Sequence, residues 1–243
     1  MEKNQAYVEI KGIPFAKINN QQLLNDHLFP AIASREKKFV VTANPEIVMA
    51  AEEDQDYKQI LLKADYVIAD GIGVVMGSKL LRQPLPERIA GYDLMHQLLE
   101  KANHDGLRCY FLGAKQDVLN KAIANVKIKF PNLVIAGSHH GYFDINDASV
   151  VQEVKDSNPD LIFVGLGFPN QEKWIHQHYN QFSRGLFMGV GGSFDGVAGY
   201  VKRAPKIWQK LNIEWLHRLI KQPSRWKRML QLPRFIWHIL RKK

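Results

Sequence analysis

Tyr66-Val-Ile-Ala-Asp-Gly-Ile-Gly73 is the stretch whose reading decides the fold. Four apolar residues run without alternation and end on a carboxylate and a glycine. A short continuous apolar run reads as a strand covered on both faces. A polar residue directly after such a strand stands where open α/β sheets bind ligands, outside the carboxyl ends. The same grammar recurs along the chain. Further strands are expected at Tyr7–Ile10, Phe39–Thr42, Cys109–Leu112, Leu133–Ala136, Leu161–Val164 and Leu186–Val190. Between them lie helical patterns. Leu94, Met95, Leu98, Leu99 and Ala102 share one helical face, as do Val118, Ala122, Ile123, Val126 and Phe130. Strands alternating with helices predict an α/β fold, a Rossmann-like and mainly parallel sheet flanked by helices.

Five of these strand ends carry polar or glycine-rich loops, the layout of a nucleotide or nucleotide-sugar site. They are Ala43-Asn-Pro-Glu46, Asp70-Gly-Ile-Gly73, Gly113-Ala-Lys115, Gly165-Leu-Gly-Phe-Pro-Asn-Gln-Glu172 and Gly191-Gly-Ser-Phe-Asp-Gly196. Asp70 is the candidate general base, because restricted water at a strand end raises a carboxylate pKa. Spacing alone favours the plainer reading of Asp70 as the N-cap of a helix over Ile72–Leu80. Thr42 and Asn44 bracket a turn into a helix at Pro45-Glu46. They are either sugar ligands or, for Asn44, a plain N-cap. Gln171 falls in the first turn of a helix whose amides could hold a phosphate. Asp195 follows a strand end rich in glycine, and it could serve a base, a ribose or a turn. The glycine pattern lacks the third glycine of the dinucleotide fingerprint, which disfavours a nicotinamide enzyme. Asp54-Gln-Asp56 reads as solvated surface, and no metal site is expected. Arg88 is a candidate for neutralising a diphosphate leaving group.

The charge is uneven. Val201–Lys243 holds thirteen Lys and Arg and a single acid, Glu214, so it carries +12 of a chain whose net charge is +9. Met1–Tyr200 is then acidic on balance, at −3. Four of the five tryptophans, Trp208, Trp215, Trp226 and Trp237, also lie in this tail. Cations interleaved with amphipathic aromatics suit an anionic membrane surface, with nucleic acid as the competing partner. A core over 1–200 and a basic helical appendage over 201–243 are therefore expected. Trp208, Leu211, Trp215 and Leu219 predict an amphipathic helix over Pro205–Lys221. Pro223 and Pro233 are expected to break the tail further. Phe235, Trp237, Arg234, Arg241, Lys242 and Lys243 are assigned to the lipid surface. No apolar run reaches the ~18–20 residues that span a bilayer, and the N-terminus has no signal-peptide core. A cytoplasmic protein, peripheral on the inner face of the plasma membrane, is expected. The lone Cys109 sits in an apolar run and reads as a buried thiol.

Seven motifs in register carry a resemblance. They are Thr42-Ala-Asn-Pro-Glu, Ala69-Asp-Gly-Ile-Gly, Pro86-Glu-Arg-Ile-Ala-Gly, Phe111-Leu-Gly-Ala-Lys, Gly141-Tyr-Phe, Gly165-Leu-Gly-Phe-Pro-Asn-Gln-Glu and Gly189-Val-Gly-Gly-Ser-Phe-Asp. With Glu214-Trp-Leu-His-Arg218 and Pro223-Ser-Arg225-Trp-Lys-Arg228-Met, they resemble the WecG/TagA/CpsF glycosyltransferases over nearly the whole chain. The resemblance implies inverting sugar transfer with no metal or other cofactor. Its best-described branch moves N-acetylmannosamine from UDP-ManNAc to the 4-hydroxyl of GlcNAc on undecaprenyl diphosphate, in teichoic-acid linkage synthesis. A related UDP-sugar donor is the alternative. By the same resemblance Asp70 is the base, and Thr42, Asn44, Arg88 and Gln171 contact sugar or diphosphate. Gly113 belongs to a substrate loop, and Tyr142 and Asp195 line the nucleobase pocket. Arg218, Arg225 and Arg228 reach the diphosphate from the appendage. The partners implied are a UDP-sugar, a lipid-diphosphate-GlcNAc acceptor and an anionic membrane. Nucleic acid is not among them, and a homo-oligomer is left open. Ala43 and Asn170 depart from the commoner Pro and Lys.

Overall fold

The computed structural model describes residues 6–201, 203–205, 207–208, 214–221, 226 and 230–241. Eight strands form one sheet: β1 (Tyr7–Ile10), β2 (Ile13–Ala16), β3 (Lys37–Ala43), β4 (Tyr66–Ala69), β5 (Arg108–Gly113), β6 (Val134–His139), β7 (Leu161–Gly165) and β8 (Gly185–Gly189). Their order across the sheet is β1-β2-β4-β3-β8-β7-β5-β6. Among the described residues the β1–β2 hairpin pairs antiparallel and every other pairing is parallel. All seven expected strands are present, Tyr7–Ile10 and Tyr66–Ala69 with the expected bounds and the others with ends moved by at most three residues. β2 is the addition. Pro14 within it hides the signal, since proline demotes a strand pattern. The hairpin turn is carried by Lys11 and Gly12, both in the left-handed region at φ 55° and 76°.

Continuous apolar strands imply two buried faces, and alternate residues serve two separate cores. Phe39, Val41, Tyr110, Leu112, Ile162, Val164 and Phe187 face one core. Val40, Cys109, Phe111, Leu161, Phe163, Leu186 and Met188 face the other. The helices Pro45–Glu53, Gln55–Leu62, Ile72–Leu80, Ala148–Asp156 and Asn170–His178 contribute to the first core. The second is covered by the helical run from Asn20 to Ala33 and by Gly91–Asp105, Gln116–Lys129 and Ser193–Val197. Cys109 is fully buried, and burial pushes its thiol up.

The tail departs from expectation in two ways. Pro233 does not break a helix; it stands in the first turn of Gln231–Arg241. There its missing N–H is tolerated. This helix also joins the first core. Phe235 and Ile239 are buried at 0% and 1% exposure. Gly77 admits the Phe235 ring, since a Cβ there would lie 2.7 Å from it. Arg234 pairs with Glu53 at 2.7 Å. The assignment of Phe235 and Arg234 to a lipid surface is therefore corrected: one fills the core and the other holds an acid of the body. Helical residues also occur at Ile207–Trp208 and Glu214–Lys221, with the Trp208 and His217 rings 5.5 Å apart.

Candidate active site

The site grows from two adjacent strand ends. β3 and β4 are in register through Thr42–Ile68 and Ala43–Ala69. The Asp70 amide extends this pairing by donating to the Ala43 carbonyl at 3.0 Å. Gly71, not Asp70, caps the Ile72–Leu80 helix, with no side-chain capping bond. The Asp70 carboxylate turns elsewhere. Its Oδ1 accepts from the Gly91 N–H at 3.0 Å, at the start of the Gly91–Asp105 helix.

The same strand end holds Arg88. The Ile89 amide donates to the Ala69 carbonyl at 2.9 Å, which lays Glu87–Gly91 across the end of β4. The Arg88 Nε then donates to the Asp70 carbonyl oxygen at 2.6 Å. Gly91 fits against Thr42, because a Cβ at Gly91 would lie 3.0 Å from the threonine methyl. Thr42 is buried, and its hydroxyl donates to the Gly189 carbonyl at 3.2 Å. Asn44 caps the Pro45–Glu53 helix by accepting from the Ile47 amide at 3.0 Å. Its amide nitrogen is what it has to offer a ligand. Thr42, Asn44, Asp70 and Arg88 thus share one edge of the sheet.

Gln171 is placed differently. It does lie in the first turn of its helix, yet it is 3% exposed and its amide faces inward. Its Oε1 accepts from the Gly191 N–H at 2.9 Å. Its Nε2 donates to Glu172 Oε1 at 2.7 Å. The Tyr57 hydroxyl donates to the other carboxylate oxygen of Glu172 at 3.1 Å. Burial raises the Glu172 pKa against the opposing pull of these hydrogen bonds. The chain Tyr57–Glu172–Gln171–Gly191 therefore fixes the backbone turn after β8. Neither Tyr57 nor Glu172 was a sequence candidate. Glu172 follows Gln171 in a motif already singled out, whereas nothing local marks Tyr57.

A groove of about 320 Å³ lies beyond the end of β5. Tyr142, Asp195, Lys115, Asp117 and Tyr200 line it. The loops behind it are joined through backbone. The Ala114 amide donates to the Gly165 carbonyl at 3.1 Å, and the Gly141 amide donates to the Ala114 carbonyl at 2.8 Å. Gly113 has φ +130°, and a Cβ there would lie 2.4 Å from the Gly165 carbonyl carbon. Tyr142 is 69% exposed. Asp195 sits in the first turn of Ser193–Val197, and its carbonyl accepts from the Tyr200 and Val201 amides at 3.0 and 3.2 Å.

Arg218 lies on the Glu214–Lys221 helix, while Arg225 and Arg228 fall outside the described residues. The Asp54 carboxylate caps the Gln55–Leu62 helix by accepting from Tyr57 N at 2.9 Å. Among the described residues no three His, Cys, Asp or Glu side chains gather as a metal site.

With this sheet and site in place, the chain is matched from residue 8 to residue 243 by the family described as "Glycosyl transferase WecG/TagA/CpsF family". The chain belongs to the WecG/TagA/CpsF glycosyltransferase family. Among its similar relatives is a Staphylococcus aureus (strain MW2) protein, 43% identical over 241 residues, which are 99% of this chain and 94% of the relative. Another, from Bacillus spizizenii, is 44% identical over 203 residues, 84% of this chain and 79% of the relative. Both bear the name N-acetylglucosaminyldiphosphoundecaprenol N-acetyl-beta-D-mannosaminyltransferase. Membership in the family makes the chain a glycosyltransferase.

Proposed function

We propose that the chain transfers N-acetylmannosamine from UDP-ManNAc to the 4-hydroxyl of GlcNAc on undecaprenyl diphosphate. The observation that carries this reading is Asp70, with Arg88 held on its backbone carbonyl, at the joined ends of β3 and β4, in a chain whose relatives are named as N-acetylmannosaminyltransferases acting on N-acetylglucosaminyldiphosphoundecaprenol. The acceptor oxygen attacks the anomeric carbon in line as the bond to UDP breaks, so the configuration inverts. Asp70 takes the hydroxyl proton. UDP leaves with growing negative charge, which arginine stabilises more in the transition state than in the ground state. Arg88 supplies this from the body, and Arg218, Arg225 and Arg228 supply it from the tail. Tyr142 and Asp195 hold the uridine in the groove that they line, with Gly113 shaping the loop behind it. Gln171 acts through the Gly191 turn, and Thr42 and Asn44 face the sugar.

The acceptor lies in a membrane, so the enzyme works at its surface. Among the described residues no helix is long and apolar enough to cross one. Exposed Trp226, Leu230, Trp237 and Leu240 support a peripheral contact. The Arg241 guanidinium stacks over the Trp237 ring at 3.8 Å, pairing a cation with an interfacial aromatic.

Asp70→Asn tests the base. The amide oxygen can still accept from Gly91, so the fold and UDP binding should persist. Turnover should fall by about 10²–10⁴, the usual share of general base catalysis. Turnover within a few-fold of the unaltered enzyme would remove Asp70 from the role. A donor screen against a short-chain lipid-diphosphate-GlcNAc, read by mass spectrometry, tests the sugar.

A further inference from the structure

Three separated parts of the chain meet in one series of contacts that ends at Asp70. Arg203 grips Asp93 with both terminal nitrogens, the second pair at 2.6 Å, and lies over the Tyr92 ring at 5.1 Å. Its Nε stands 3.9 Å from Glu214 Oε1. The other Glu214 oxygen accepts from Arg88 Nη2 at 3.4 Å. Arg88 Nε in turn donates to the Asp70 carbonyl. Glu214 is 4% exposed, and it is the only acid between Val201 and Lys243. In a tail that is otherwise basic, one buried acid sits between two guanidiniums.

We infer that Glu214 is a positioning residue that sets the plane of Arg88 and ties it to the helix that carries Arg218. A guanidinium has five N–H donors in a rigid fork. Contacts to the Asp70 carbonyl and to Glu214 commit two of them in different directions, which fixes the plane of the group. Glu214 is the first residue of Glu214–Lys221, where a carboxylate is favoured by the helix end. The same carboxylate thus orients an arginine of the body and docks a helix of the tail. Without it, Arg88 and Arg203 lose the buried charge that they share. A buried cation with its partner removed reorients toward water or another acid. The polar cleft of about 400 Å³ lined by Arg88, Arg203, Asp93 and Glu87 would then change shape beside Asp70.

This rests on the reading of Asp70 and Arg88 as transfer machinery. The test uses the full chain with Glu214→Gln, Glu214→Asp and Asp70→Asn, each assayed for kcat, donor KM, UDP affinity and Tm. For Glu214→Gln we expect kcat to fall about 10–100-fold, the scale of small misplacements at a reacting centre. Donor KM should stay within about three-fold and UDP affinity should hold, because neither Glu214 nor Arg88 lines the groove beside Tyr142. Glu214→Asp restores the charge on a shorter arm and should recover part of the rate. A wild-type kcat for Glu214→Gln, or a loss explained entirely by the unfolded fraction at the assay temperature, overturns the role of Glu214. If Asp70→Asn also turns over like wild type, the reading of the site itself fails. If Asp70→Asn is crippled and Glu214→Gln is not, the inference about Glu214 alone falls.

Discussion

Phe235→Ala separates a helix docked in the core from one resting on lipid. Phe235 is fully buried with Ile239 beside it, and its ring fills the space left by Gly77. Truncating a buried phenylalanine removes its transfer free energy and leaves a cavity, about 3–5 kcal/mol together. For a chain of this size each kcal/mol lowers Tm by roughly 2–4 °C, so the expected drop is roughly 6–20 °C in plain buffer. The lower end applies if the Gln231–Arg241 helix undocks by itself before the sheet opens. Trp237→Ala is the matched control. Trp237 is 49% exposed, so its loss should shift Tm little and instead weaken retention on anionic vesicles. Differential scanning fluorimetry and vesicle co-sedimentation on both variants read the two effects separately. A Tm within about 1 °C of wild type for Phe235→Ala, with vesicle binding lost, would refute the docking argument and return Phe235 to the lipid.

Three further outcomes follow from the site. Gln171→Ala removes the Gln171 bonds to the Gly191 amide and to one oxygen of the Glu172 carboxyl, at about 1–3 kcal/mol per buried group left unsatisfied. Lower Tm and turnover are expected, read by scanning fluorimetry and single-turnover kinetics. Burial raises the Glu172 pKa above the unfolded value of 4.5, so the folded state favours its protonated form. The stability it contributes is complete below that pH and is lost as pH rises toward the folded pKa. Glu172→Gln should remove this part of the slope in urea melts taken from pH 4.5 upward. Transfer is expected to survive EDTA, and an absolute need for Mg²⁺ or Mn²⁺ in the assay would contradict the proposed displacement.

Much of the sheet was legible because its strands are buried on both faces. Tyr66–Ala69 and Leu161–Val164 need no partner to announce themselves as apolar runs. Ile13–Ala16 was not legible, because Pro14 imitates a loop and only the turn at Lys11-Gly12 and the pairing with β1 and β4 reveal the strand. The grouping of Thr42, Asn44 and Asp70 was anticipated from strand ends, whereas Arg88 was singled out for its charge and by the family resemblance. Gln171 shows the limit of that logic. Its position in the first turn was readable, but the direction of its amide depends on Tyr57 and Glu172, and Tyr57 lies more than one hundred residues away in sequence. Phe235 failed for a related reason. Helical periodicity reports an apolar stripe without saying whether protein or lipid covers it. The glycines at 73 and 77, which receive Leu232 and Phe235, hold the answer on another helix.

The groove beside Tyr142 has a consequence for how such an enzyme can diversify. Gly113, Gly141 and Gly165 bring three loops together at distances that leave no room for a Cβ. The loops behind the groove are thus joined main chain to main chain. If the groove holds the nucleotide as proposed, a lineage moving toward a different donor would have little freedom in those loops. New preferences would have to be spelled at the rim, by Tyr142, Asp195, Lys115 and Tyr200, where a residue can change without disturbing the sheet.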